Sequence, residues 1–192
     1  EQKSLLGSEN IYSSKIIYYD EIIPTKAIIL TQPKKNLNWK MANLNEQNFK
    51  GNIYSTGIKN NFLKKKIGKK KFSSSNLMTQ PLIDNNYIFL ADDTGTIFNI
   101  SKKGKIFWKK NIYKKIFKKI YKNLSLSIYK NSLFVSDNIG FIYSIDIETG
   151  KILWLKNHGI PIKSKIKLFD NKIYLINQDN RIICLDSSSG TK

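Results

Sequence analysis

The apolar positions of this chain fall into short runs of four to six residues rich in Ile, Tyr, Phe and Val, broken by polar turns. Runs of that length and composition predict β-strands. One pattern occurs three times, over Tyr87–Ile100, Leu133–Ile145 and Ile173–Leu185. Each copy is a pair of apolar runs around a tight polar turn. The copies carry Asp92, Asp137 and Asn177 at the start of that turn, and Gly95, Gly140 and Asn180 near its end. A second turn follows, centred on Gly104, Gly150 and Gly190, so the period is 150 − 104 = 46 and then 190 − 150 = 40 residues. Trp108 and Trp154 each lie four residues beyond their glycine. A repeat of this size holding several short strands predicts an all-β fold, a partial β-propeller of four-stranded blades.

The repeat divides the chain. Residues 1–36 read as an extended arm, with Pro24, Pro33 and apolar clusters at 16–19 and 27–30. Residues 37–192 read as an incomplete propeller, with blades at about 37–110, 111–156 and 157–192. The first of these opens on a polar stretch holding Trp39, Gly51, Gly57 and lysines 64–66 and 69–71. By the same spacing, the third tryptophan is expected two residues beyond Lys192. At ~40 to 45 residues per blade an eight-bladed ring needs roughly 320 to 360 residues, so three blades are fewer than half of one.

The turn chemistry is physical. Asp146 can accept backbone hydrogen bonds across the Asp-Ile-Glu-Thr-Gly turn while Gly150 takes a positive φ; Asp186 with Gly190 repeats this, and Ser101 with Gly104 is a weaker version. Asp146 and Asp186 could pass for a catalytic pair, but equivalent positions in successive repeats point to turn formation. Trp108 and Trp154 recur once per repeat, which favours packing between blades over stacking on a flat ligand. No catalytic, cofactor or metal residue is expected. Cys184 is the single cysteine, so no internal disulfide or paired-cysteine metal site is available. It aligns with Asn99 and Ser144 and reads as a small packing residue. His158, the single histidine, reads as a loop residue.

Charge changes the picture less than its size suggests. The chain carries +19 at neutral pH. Of 33 Lys and Arg only Arg181 is arginine, leaving 33 − 1 = 32 lysines, in the Lys, Ile and Asn excess of an AT-rich genome. Specific phosphate and guanine recognition favours the arginine fork, so nucleic acid is not the expected partner. No apolar run approaches the ~20 residues of a membrane-spanning helix. Between Trp108 and Leu124, apolar residues from Ile112 to Tyr121 alternate with lysine pairs at near-helical spacing. Two readings stay open there: a basic amphipathic segment for a membrane surface or acidic partner, or a strand running into a lysine-rich loop.

The run Asp-Ile-Glu-Thr-Gly-Lys-Ile-Leu-Trp from Asp146, with weaker copies at Ser101–Trp108 and from Asp186, resembles the tryptophan-docking repeat of the pyrroloquinoline-quinone (PQQ)-like β-propellers. Within that family the chain most resembles the lipoprotein B group of the outer-membrane β-barrel assembly machinery. That resemblance implies an eight-bladed periplasmic ring tethered to the outer membrane through a lipidated cysteine that these residues lack. It implies a non-catalytic scaffold whose partner is the barrel insertase complex, with no cofactor. The same repeat occurs in quinoprotein dehydrogenases, which use a vicinal cysteine pair and calcium ligands; with Cys184 alone the pair is absent here. As a partial ring, the chain is expected to expose unpaired strand edges and to aggregate or open easily.

Overall fold

The computed structural model describes residues 29–57, 63–69 and 79–192. The chain divides into two compact units, Glu1–Leu30 and Thr31–Lys192. Most of the arm at 1–36, the apolar cluster at 16–19 and lysines 70 and 71 lie outside the described residues. Every described strand belongs to the second unit.

Three antiparallel sheets form in chain order. Strands β1 (Leu82–Asp84), β2 (Tyr87–Ala91), β3 (Thr96–Ser101) and β4 (Ile106–Asn111) make the first, in the order β1-β2-β3-β4. Strands β5 (Leu124–Tyr129), β6 (Ser132–Asp137), β7 (Phe141–Asp146) and β8 (Ile152–Asn157) make the second in the same order. Strands β9 (Lys167–Phe169), β10 (Lys172–Ile176) and β11 (Ile182–Asp186) make a three-stranded third. The described residues thus form an all-β array of propeller blades that does not close into a ring. Two-residue hairpin loops join the first two strands of each sheet. Their leading residues, Asn85, Lys130 and Asp170, all take positive φ, as loops whose twist matches the strands require.

The sheets stack face to face. Phe89 and Ile97 of the first sheet pack with Leu126, Leu133, Val135 and Tyr143 of the second. On the second sheet's other face, Phe134 and Ile142 pack with Ile166, Leu168, Ile173 and Leu185 of the third. The first sheet's far face, with Ile88, Phe98 and Ile100, is covered by Leu63 and Ile67. Strands β3, β5, β6 and β7 therefore alternate between two buried faces, which is why they read as near-continuous apolar runs.

The third sheet departs from this. Its outer face carries Phe169, Tyr174, Ile176 and Ile182, from 36% to 74% exposed. Cys184 lies on that face, opposite Tyr174, and is exposed. The expectation that Cys184 is a packing residue is therefore corrected. Its counterparts Asn99 and Ser144 are buried because a following sheet covers them, and among the described residues no sheet covers Cys184.

The stretch after Trp108 is not an amphipathic α-helix. Strand β4 runs on to Asn111, Ile112 and Tyr113 turn into the core, and one short 3₁₀ turn, Lys115–Lys119, precedes β5. Its N-cap position, Lys114, makes no side-chain capping bond, and the first turn has no acidic residue, so nothing there supports a longer helix.

Strands β1, β5 and β9 converge at the inner end of the stack, where a separate segment crosses them. Trp39 exchanges two backbone hydrogen bonds with Ile83 (2.7 and 2.9 Å), and the carbonyl of Lys40 accepts from the Ile128 N–H (2.6 Å). Lys167 Nζ donates to Ala42 O (2.9 Å), Asn45 O (2.6 Å) and Asn48 Oδ1 (2.7 Å). Residues 39–48 thereby touch all three sheets.

Candidate functional site

The recurrent chemistry of the chain sits where one sheet meets the next. In both four-stranded sheets the pairing slips by one residue beside the tryptophan: Asn99 faces Trp108 but Ile100 faces Ile106, and Ser144 faces Trp154 but Ile145 faces Ile152. Phe107 and Leu153 are the extra residues, and both stay exposed, at 48% and 55%. Such a bulge rotates the following side chain. Here it turns each tryptophan toward the next sheet. Trp108 Nε1 donates to Ile147 O (2.9 Å), and Trp154 Nε1 donates to Ser187 O (3.0 Å).

The receiving turn is shaped for that ring. A Cβ at Gly150 would meet Trp108 Cδ2 at 2.7 Å, and one at Gly190 would meet Trp154 Cε3 at 2.8 Å. Both glycines also hold positive φ, +71° and +66°. Absence of a side chain is thus required twice over, by the backbone and by the approaching indole. Asp146 and Asp186 build the turns. Asp146 Oδ1 accepts from Thr149 N (2.8 Å), Thr149 Oγ1 (2.7 Å) and Glu148 N (3.2 Å). Asp186 Oδ1 accepts from the Ser188 and Ser189 N–H groups, both at 2.9 Å. These bonds favour the charged carboxylate. The backbone and side chain of Thr149 hold Asp146 below its ordinary value, and hydrogen bonds from Ser188 and Ser189 bring Asp186 down to about 2. Ser101 Oγ accepts from Lys105 N (3.0 Å), and Gly104 in that turn is packed by Leu63.

The second set of turns repeats the device. Asp92 Oδ1 accepts from the N–H groups of Thr94 (3.0 Å) and Thr96 (2.9 Å), and Asp137 Oδ1 from those of Ile139, Gly140 and Phe141, all at 2.9 Å. Asn177 Oδ1 accepts from Arg181 N (2.9 Å). Gly95 and Gly140 hold φ +83° and +104°, with the Tyr113 ring lying against the first and the Ile160 carbonyl against the second.

Tyr113, which no sequence motif marks, links two blades. Its hydroxyl donates to the other oxygen of Asp137, Oδ2, and its ring carries Lys122 Nζ 4.8 Å above the centroid. Burial, then the Asp137 charge, push the Tyr113 hydroxyl far above its ordinary value. Lys167 is equally unmarked in the sequence. Only the fold brings it to the 42–48 carbonyls. Burial lowers its ammonium, an effect the Glu46 charge partly opposes.

The described surface also holds open hollows. One, of about 590 Å³, is lined by Asp92, Thr94, Thr96, Phe98, Lys109 and Asn111. Its polar groups already bond one another: Thr94 Oγ1 donates to Asp92 Oδ1 (2.6 Å), and Asn111 Nδ2 donates to Thr94 O (3.0 Å). Among the described residues no group of three or more His, Cys, Asp or Glu is placed to hold a metal ion.

The family model for the outer membrane protein assembly factor BamB matches residues 36–192. The chain belongs to that family. A curated relative, the uncharacterized protein RC0314 of Rickettsia conorii, is 25% identical over 184 residues, covering 91% of this chain and 38% of the relative. The chain therefore spans well under half the length of that relative. Among solved structures, the quinohemoprotein alcohol dehydrogenase ADHIIG of Pseudomonas putida HK5 aligns with TM-score 0.53 and 14% identity, over 64% of this chain and 20% of that one. The computationally designed Ika4 protein aligns with TM-score 0.52 and 17% identity, over 67% of this chain and 77% of its own. BamB from Moraxella catarrhalis gives TM-score 0.45 and 17% identity, over 56% and 33%. At these identities the first two structures show the propeller-blade fold alone. No helix among the described residues is long and apolar enough to cross a membrane.

Proposed function

We propose that this BamB-family chain is part of a non-catalytic periplasmic scaffold, held at the outer membrane by a lipid anchor. In this reading it binds the outer-membrane β-barrel assembly machinery and assists insertion of barrel proteins. The observation that carries the reading is the use made of the repeat residues. Asp92, Asp137, Asp146 and Asp186 each commit an oxygen to turn N–H groups, and Trp108 and Trp154 pack against the next sheet's glycine. The residues that look most like chemistry hold the array together, and rigid stacking leaves the inter-strand loops as the surface for a protein partner. These loops carry no motif that selects one.

The competing reading is a quinoprotein dehydrogenase piece, favoured by the fold shared with the ADHIIG dehydrogenase. Two measurements separate them. Titration of the chain against the periplasmic domains of the barrel insertase is expected to show saturable binding. Dye reduction with alcohol, quinone and calcium is expected to show none above background. Turnover without insertase binding would reverse the assignment.

A further inference from the structure

The positive charge is unevenly placed. No Asp or Glu occurs between Asp93 and Asp137, whereas that stretch holds 11 lysines. Genome bias toward lysine would spread cations along the chain but would not clear acids from a 43-residue stretch, 94–136. The last 56 residues, 137–192, contain six acids against eight Lys and Arg.

The fold places seven of these lysines along the outer rim of the first sheet, whereas Lys122 is buried and Lys130 lies in the β5–β6 loop of the second. Exposed Lys102, Lys103 and Lys105 sit in the β3–β4 turn. Exposed Lys64, Lys65 and Lys66 arrive there from a distant part of the sequence: Lys65 Nζ donates to Gly104 O (2.6 Å), and Leu63 packs on the same glycine. Lys109 lies midway along β4, and exposed Lys114, Lys115 and Lys119 flank the 3₁₀ turn beyond its other end. Six strand residues at ~3.3 Å each make the intervening strand roughly 20 Å long. Asp92 reaches this side, where its Oδ2 accepts from Lys69 N (3.1 Å), but its other oxygen is held by its own turn.

Apolar side chains stand out among the cations. Phe107 is 48% exposed, Ile106 39%, Ile120 46% and Ile116, at the tip of the 3₁₀ turn, 76%. From this arrangement we infer that the rim of the first sheet is a docking surface for an anionic phospholipid bilayer. Lysine ammoniums meet lipid phosphates as point charges, and Phe107 and Ile116 enter the headgroup boundary. A nucleic acid would make use of the charge but not of protruding aliphatic side chains, and arginine forks are missing from the strip. The surface works independently of the insertase and sets which side of the scaffold faces the membrane.

Vesicle flotation of the 192-residue chain tests this, with phosphatidylcholine vesicles containing or lacking phosphatidylglycerol. Binding is expected only with the anionic lipid and is expected to weaken as salt rises. Lys114→Gln, Lys115→Gln and Lys119→Gln together should lower partitioning on the order of 100-fold, since each lysine near such a surface contributes about fivefold. Ile116→Ser should remove the part of binding that survives high salt. The pair Lys165→Gln and Lys172→Gln, at the third sheet, should change nothing. All these positions are exposed, and circular dichroism confirms folding of each variant. Failure to float with phosphatidylglycerol vesicles at low salt overturns the inference. So does equal loss from the third-sheet pair, or tighter binding to duplex DNA than to vesicles.

Discussion

The second and third sheets share a repeat but not an environment. Phe134 and Ser144 of the second sheet are 1% exposed, sandwiched against the third. Tyr174 and Cys184 occupy the same register positions, opposite each other on β10 and β11, and face outward. The residue types differ little; what differs is whether another sheet covers them. Burial in a repeat array is thus set by the neighbour rather than by the strand, the nearest-neighbour behaviour of stacked units.

Several substitutions test that contrast. Phe134→Ala should cost about 3 to 5 kcal/mol in chemical denaturation, the range for a buried aromatic. Tyr174→Ala, its counterpart, should cost under ~1 kcal/mol, as at most exposed sites. Equal losses would mean that the outer face of the third sheet is covered in solution. Gly150→Ala should cost about 2 to 4 kcal/mol, combining a positive φ with the Trp108 clash. Gly159→Ala, with φ +68° but nothing within 4 Å of a new Cβ, should show only the backbone part, about 1 kcal/mol. Cys184 should react with maleimide under native conditions, whereas a Ser144→Cys thiol in a Cys184→Ser background should react only after unfolding.

A weaker effect is set by pH. Burial, together with the Lys192 and Lys156 charges, lowers the imidazole of His158. Its folded form disfavours a proton, so its contribution is complete above the unfolded value of ~6.5 and declines as pH falls from there through the lower folded value. Thermal melts should show this decline, and His158→Gln should flatten it. The smallest change expected is Lys130→Asn. Lys130 holds φ +51° where the other two hairpins use Asn85 and Asp170, so asparagine should stabilise by up to ~1 kcal/mol.

The sheets were legible because apolar runs, polar turn residues and positive-φ positions are local signals, repeated three times at similar spacing. Which side of the 108–124 stretch faced inward was not, since Tyr113 is explained by Asp137 and Gly95, residues of two different hairpins. The bulges at Phe107 and Leu153 left a trace only in the constant four-residue spacing from glycine to tryptophan. The rim charge showed in sequence as lysine excess. Its segregation depends on Leu63 and Lys65 lying on the Gly104 turn, a contact between distant parts of the chain. Cys184 misled because its alignment gave the strand position correctly but said nothing about whether a neighbouring sheet covers it.

The contacts of residues 39–48 have a consequence in time. Lys167 bonds to Ala42, Asn45 and Asn48 across 125, 122 and 119 residues of chain. During synthesis this segment leaves the ribosome before any of the three sheets, and its bonds to Lys167 must wait until the third has emerged. Sheets joined by hairpins close quickly, whereas loops this long close slowly. The part of this unit made early is therefore fastened to the third sheet late, after its bonds to the first two can form.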